Sequence, residues 1–142
     1  MHAMRRSIAL VTLATLTTLA ACGSDSTAPN ANSDSIAGTW HLKSVNGSPL
    51  PFVIQSGATK VSLIADVVTV TDGGTWSESS TFSVVVNGGA PQQQVTADGG
   101  TWARAGAQVS FYSSSSGTSY ATFNGNTGTM IDALGYTDVY QR

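Results

Sequence analysis

The sequence is poor in the residues that carry most enzyme chemistry. Its 142 residues include one cysteine, two histidines and only 10% charged residues. A chain with a single cysteine cannot form an internal disulfide, so a folded domain must be stabilised by core packing alone. Six Lys and Arg residues against eight Asp and Glu residues are too few for the clustered basic surface that binds nucleic-acid phosphates.

The single cysteine, Cys22, follows an N-terminal segment that has the layout of a secretion signal. Arg5 and Arg6 precede an apolar run over residues 8–21, which ends in the small pair Ala20-Ala21. The run is shorter than the roughly 20 residues that a membrane-spanning helix needs. Initiation at Met1 or at Met4 fits equally well. The alternative is an ordinary secreted protein with a free cysteine, although a lone cysteine is otherwise rare in exported chains.

The segment Leu19-Ala20-Ala21-Cys22 resembles the lipobox of bacterial lipoproteins. The resemblance implies cleavage before Cys22, lipidation of its thiol, and attachment to a membrane through the acyl chains. Because Gly23 rather than Asp follows the cysteine, it also implies an outer-membrane lipoprotein that faces the periplasm. An acylated Cys22 leaves no thiol for catalysis.

Three segments follow from this interpretation: a signal peptide over 1–21, a lipidated cysteine with a flexible tether over 22–35, and one folded domain over 36–142. The tether is rich in Ser, Asn, Asp and Ala and has no apolar period, which is typical of a flexible linker. Cleavage leaves eight carboxylates and four cations, so the mature net charge is −4. The cations are Lys43, Lys60, Arg104 and Arg142.

The domain is predicted to be all-β. Short runs rich in Val, Thr, Tyr, Phe and Trp alternate with clusters of Gly, Asn, Asp and Ser, which are typical of strands and tight turns. The connections are too short for helical crossovers, so sequential strands should pair antiparallel. The meander either closes into a small up-and-down β-barrel or stacks as a β-sandwich. The predicted strands are Gly38–Val45, Pro51–Gln55, Thr59–Ala65, Val67–Thr71, Thr75–Val86, Gln93–Ala97, Thr101–Ala105, Gln108–Tyr112, Ser119–Phe123, Gly128–Asp132 and Thr137–Gln141.

One tripeptide, Gly-Thr-Trp, occurs three times, ending at Trp40, Trp76 and Trp102. Its spacings are too unequal for a propeller or a solenoid. We interpret each copy as a turn that leads into a strand whose tryptophan is an inward-facing anchor. The last two copies extend to Asp-Gly-Gly-Thr-Trp, which predicts turns at 72–74 and 98–100.

The start of the domain, Gly38-Thr39-Trp40 followed by the turn Asn46-Gly47, resembles the start of lipocalin-like domains of bacterial lipoproteins. The closing Val139-Tyr140-Gln141-Arg142 fits the same pattern. The resemblance implies an up-and-down β-barrel in which Trp40 closes one end and Arg142 packs across it. Other loop motifs of true lipocalins and their C-terminal helix are missing from the sequence, so the likeness alone does not guarantee ligand binding.

Strand alternation indicates a polar site inside the barrel. Trp76, Glu78 and Ser80 share one strand face. Arg104 has the same offset from Trp102 as Glu78 has from Trp76, so a Glu78–Arg104 pair could form in the barrel mouth. We therefore take Trp76, Glu78, Trp102 and Arg104 as candidate ligand-binding residues. The alternative, which the sequence alone favours, is a bulge or strand end near Ser79 that returns Glu78 to solvent.

No catalytic or metal-binding set is evident in the sequence, and no cofactor is predicted. His41 alternates with Trp40 and so should face solvent. The remaining aspartates of the domain are interpreted as single residues at turns or strand ends, a weak pattern for calcium: Asp66, Asp72, Asp98, Asp132 and Asp138.

The expected function is non-enzymatic binding of a small, partly apolar molecule in the barrel. The alternative is an envelope interaction or structural module, such as a stress or assembly factor or an inhibitor of an exported protease. The two functions predict different interiors of the barrel. A cavity near about 300 Å³ with apolar walls and a few polar groups favours a ligand, whereas a filled interior favours the interaction module. The sequence does not indicate an oligomeric state.

Overall fold

A computed structural model of the chain describes residues 35–142. The signal peptide, Cys22 and nearly all of the tether lie outside these residues. The described part forms ten strands and contains no helix with the length and apolar character to span a membrane. The strands are β1 Gly38–Val45, β2 Ser48–Pro49, β3 Phe52–Gln55, β4 Thr59–Val70, β5 Thr75–Val86, β6 Gln92–Ala105, β7 Gln108–Ser113, β8 Gly117–Asn124, β9 Thr127–Ile131 and β10 Thr137–Gln141.

Eight of these strands close into an antiparallel up-and-down β-barrel. Strands β4 to β10 pair in sequential order, and β1 closes the ring because it pairs with β10 on one side and with β4 on the other. The short strands β2 and β3 pair only with β1 and β4, in the connection between them. The predicted barrel is thus confirmed, and the sandwich alternative is not what the chain adopts. Closure leaves the eight-stranded ring without free edges.

Strand β4 is continuous where two strands were predicted. The register between β4 and β5 shifts between Leu63 and Ala65, which marks a β-bulge. A bulge adds one residue and so changes which side chains face inward. Leu63 before the bulge and Asp66 and Val68 after it are therefore all buried. The prediction that Asp66 lies between two strands was wrong, because β4 passes through this position with a nearby bulge and without a break.

Strand β6 likewise runs through the turn predicted at 98–100. The glycines there permit close packing instead of a reversal. A Cβ atom on Gly100 would lie 1.9 Å from the carbonyl oxygen of Tyr112 on β7 and 3.3 Å from Nε1 of Trp76 on β5. Only glycine lets the neighbouring strand and the indole approach the backbone this closely.

Trp40 fills the end of the barrel at which β1 begins and β10 ends, which we call the closed end. Its side chain is 1% exposed, and its Nε1 donates a hydrogen bond to the carbonyl of Ile36 at 2.8 Å. The ring packs on Phe123, with 4.8 Å between ring centroids. Phe123 in turn occupies the space where a Cβ of Gly128 would lie, 2.6 Å from the ring. A void of only about 10 Å³ remains among these side chains.

Arg142 covers Trp40 from the outside. The centre of its guanidinium lies 4.8 Å from the centroid of the indole, which is within the range of a cation–π contact. Nη1 also donates to the carbonyls of Ser35 and Ala37, at 3.0 and 3.1 Å. The structure thus brings together the two residues that the resemblance placed at one end of the barrel.

Candidate functional site

The interior beyond Trp40 is open. It holds a cavity of about 240 Å³. This volume is below the roughly 300 Å³ at which drug-sized sites begin, but above the roughly 150 Å³ in which an apolar protein cavity binds benzene. The cavity is therefore of a size to take one ring or a short chain. Most of its walls are apolar side chains from the strands: Val45, Phe52, Leu63, Val68, Phe82, Phe111 and Met130.

The cavity reaches the surface at the opposite end of the barrel, which we call the open end. Ile54 on β3 and Leu134 in the β9–β10 loop line it there and are 45% and 83% exposed. Asp132 holds the loop in shape, because its Oδ1 accepts hydrogen bonds from the backbone N–H groups of Leu134 and Tyr136 at 2.9 and 2.8 Å. This loop and β3 therefore both contribute exposed apolar side chains to the open end.

Three carboxyl groups from three strands line the apolar cavity: Asp66 on β4, Glu78 on β5 and Asp138 on β10. Asp66 is 6% exposed and Asp138 is 9% exposed. Within residues 35–142, Oδ1 of each aspartate is buried with no hydrogen-bond partner. A buried polar atom without a partner is costly, so these two oxygens are exceptions among the buried side-chain atoms of residues 35–142.

Ser80 lies between two of these carboxyl groups. Its Oγ is 3.2 Å from Oδ2 of Asp66 and 3.1 Å from Oε1 of Glu78. A serine hydroxyl has a single proton to donate, so it can satisfy only one of the two acceptors at a time. The Asp66–Glu78 pair therefore lacks a second hydrogen-bond donor unless one of the two carboxyl groups itself keeps a proton.

The surroundings favour the protonated form of both aspartates. Burial, a side-chain hydrogen bond with Glu78 and the charge of Glu78 raise the pKa of Asp66 from 3.8 to about 9. Burial and the charges of Asp132 and Glu78 raise the pKa of Asp138 from 3.8 to about 7. Burial also raises the pKa of Tyr140, which lies among these acids. No Lys, Arg or His of the described residues lines the cavity to offset them.

The structure separates the four candidate residues into two pairs. Trp76 and Glu78 line the cavity. The alternative of a bulge or strand end near Ser79 was wrong, because β5 runs unbroken from Thr75 to Val86. It also pairs with β6 without a register shift from Thr75 to Val84. Trp102 is only partly buried and donates its Nε1 to the carbonyl of Thr71 at 3.0 Å.

Arg104 does not meet Glu78. The cross-strand partner of Glu78 on β6 is Asp98, and Arg104 lies six residues further along that strand, or roughly 20 Å at about 3.4 Å per residue. Arg104 is exposed and donates its Nε to the carbonyl of Gly106 at 3.0 Å. The predicted Glu78–Arg104 pair was therefore wrong, and the side chains that meet Glu78 are Asp66 and Ser80.

The sequence reasoning missed Asp66 and Asp138 as cavity residues. The signal for Asp138 was its alternation with Tyr140 on the last strand, since both residues face inward. The signal for Asp66 was its even spacing to Val68 and Val70, which face inward with it. His41, by contrast, is exposed as predicted.

Asp98, on the same strand as the glycine pair, has the opposite environment to Asp66. Its carboxylate accepts hydrogen bonds from the hydroxyls of Ser113, Ser115 and Ser116 and from the backbone N–H of Gly99. Burial acts to raise its pKa, but these donors outweigh it and lower the pKa from 3.8 to about 2. Asp98 is thus an ionised group that ties the β7–β8 turn to β6.

The fold and its interior define an eight-stranded β-barrel with a partly polar, open cavity. Among residues 35–142, no group of three or more His, Cys, Asp or Glu side chains could hold a metal ion. No protein-family model matches the chain, and no curated protein sequence matches it.

Proposed function

We propose that this protein is a lipid-anchored component of the bacterial cell envelope that binds a small, partly apolar molecule inside its barrel without altering it chemically. The observation that carries the proposal is the cavity of about 240 Å³, with apolar walls and a few polar groups, that opens at one end. An empty apolar cavity lowers stability. A barrel that served only as an interaction module would therefore be expected to have a filled interior.

The two ends of the barrel support the same function. The closed end is filled by Trp40 and sealed by Arg142, which gives the cavity a rigid floor. The open end presents apolar side chains at its rim, including Leu134, along which an apolar molecule can enter. A rigid cavity binds without a large ordering cost, which favours affinity.

Binding can be tested with n-propylbenzene, a neutral one-ring compound, on the purified full chain. Ligand-observed NMR should detect binding, and Ser119→Phe should weaken it by filling part of the cavity. Ser119 lines the cavity, opposite Phe111 on the neighbouring strand. The matched control is Ser79→Phe on the exposed face of β5, which should leave binding intact. An affinity for n-propylbenzene that Ser119→Phe leaves unchanged would place the probe outside the cavity and contradict the proposal.

The anchor of the proposed function is Cys22, which lies outside the described residues and depends on the lipobox resemblance. Cys22→Ser should abolish both lipidation and cleavage, because only the thiol accepts the lipid. Metabolic labelling with a radioactive fatty acid measures this directly. Incorporation of label into the Cys22→Ser protein would show that the chain is not lipidated at this residue.

A further inference from the structure

Carboxyl groups are unusual in the lining of a cavity that binds a purely apolar molecule. Asp66 and Asp138 come from opposite sides of the closing strand β1, on β4 and β10. Each contributes a buried oxygen without a partner among the described residues. A neutral hydrocarbon in the cavity would leave both oxygens unpaired and exclude water from them, at a cost in binding free energy.

The charged and titratable groups that face this region are all acids or phenols. They are Asp66, Glu78, Asp132, Tyr136, Asp138 and Tyr140. An anionic ligand is not favoured, because no cation among the described residues lines the cavity to pair with it. A bare metal ion is not favoured either, since residues 35–142 contain no grouping of His, Cys, Asp or Glu that could ligate one.

A protonated amine supplies the positive charge that the lining of the cavity lacks. An ammonium group carries a positive charge and three N–H donors and has no acceptor. It can donate to a buried carboxyl oxygen that has no partner among the described residues, Oδ1 of Asp66 or Oδ1 of Asp138, while Ser80 keeps one hydrogen bond to the Asp66–Glu78 pair. Hydrogen bonds between two ionised groups are about twice as strong as neutral ones.

We infer that the barrel selects a cationic amine with a small apolar body, whose ammonium group binds near the buried carboxyl groups of Asp66 and Asp138 while its ring or short chain contacts the apolar walls. This inference rests on the proposed function and names the class of ligand. The aromatic walls suit such a body: Trp76 and Phe111 meet edge to face with 5.7 Å between centroids.

The amine should displace protons from the carboxyl groups when it binds. Asp66 is protonated near neutral pH and Asp138 is partly protonated, and these protons leave to solvent as the ammonium enters. Affinity for the amine should therefore rise between pH 6 and pH 8, by as much as about tenfold per pH unit for each proton released. Affinity for n-propylbenzene, which displaces no proton, should not rise with pH.

The test compares three one-ring probes on the full chain at pH 8: 2-phenylethylamine, n-propylbenzene and phenylacetate. The amine should bind at least about tenfold more tightly than its neutral isostere, and phenylacetate should bind more weakly than either. Asp66→Asn and Asp138→Asn should each lower the ratio of amine affinity to propylbenzene affinity. The matched control is Asp72→Asn, the same substitution at an exposed turn residue, which should leave the ratio unchanged.

The outcomes separate this inference from the function on which it rests. Equal affinities for the amine and n-propylbenzene, or tighter binding of phenylacetate, would overturn the amine preference while leaving a cavity that binds small molecules. An unchanged ratio in both Asp66→Asn and Asp138→Asn would place the ammonium elsewhere and also overturn it. Failure of all three probes to bind would contradict the proposed function itself.

Discussion

Replacement of Trp40 by alanine is expected to lower the free energy of unfolding by about 3–5 kcal/mol, the usual cost of truncating a buried aromatic side chain. Trp40 is 1% exposed, packs on Phe123 and supports the guanidinium of Arg142. A domain without a disulfide has about 5–15 kcal/mol of total stability, so the loss is a large share of it. Urea denaturation followed by far-UV circular dichroism measures the change without depending on tryptophan fluorescence.

The chain offers a matched control in Trp102. It stands in the same Gly-Thr-Trp tripeptide but is only partly buried against the core. Trp102→Ala should therefore cost clearly less than Trp40→Ala. Equal shifts of the denaturation midpoint would mean that Trp40 is not the principal anchor of the closed end.

The elements that the sequence predicts best are strands with turn residues at both ends. The prediction for Gly38–Val45, Thr75–Val86 and Thr137–Gln141 agrees with β1, β5 and β10. Asn46 and Asn87, which follow two of these strands, both adopt positive φ, the conformation that ends a strand in a tight turn. Local sequence decides these boundaries, so local reasoning finds them.

The elements that the sequence predicts wrongly depend on long-range packing. Gly99 and Gly100 have the composition of a turn, but a neighbouring strand and the Trp76 indole press against them, and this keeps the segment extended. The bulge in β4 is likewise set by pairing with β5, which no local pattern encodes. In both cases the sequence predicts an interruption of a strand, whereas pairing with the neighbouring strand keeps the segment extended.

The sequence predicts only part of the candidate site, because part of the site depends on contacts between strands. Alternation along one strand identified Trp76 and Glu78 as cavity residues, because alternation is a local rule. The partners of Glu78 are not local: Asp66 meets it across the β4–β5 pairing, whereas Arg104 shares its offset from a tryptophan but lies far along β6. Equal offsets on two strands place residues on the same face but do not place them at the same height in the barrel.

The buried carboxyl groups should make the protein less stable as the pH rises. The pKa values of Asp66 and Asp138 are raised in the folded state from 3.8 to about 9 and about 7. Above the ordinary pKa of 3.8, the unfolded chain releases protons that the folded barrel retains. The free energy of unfolding should therefore fall from about pH 4 up to about pH 7 for Asp138 and about pH 9 for Asp66, by up to about 1.4 kcal/mol per pH unit for each retained proton.

Urea denaturation midpoints at pH 5, 7 and 9 test this expectation. The wild-type midpoint should fall across the series, while the double variant Asp66→Asn with Asp138→Asn should show a flatter profile and exceed the wild type at pH 9. Asp98→Asn is the control of opposite sign. The pKa of Asp98 is lowered to about 2, so its contribution is complete above pH 4 and is lost only as the pH falls towards 2. This variant should be destabilised by the same amount at all three pH values. A wild-type midpoint that stays constant or rises from pH 5 to pH 9 would mean that the cavity carboxyl groups ionise freely in the folded barrel.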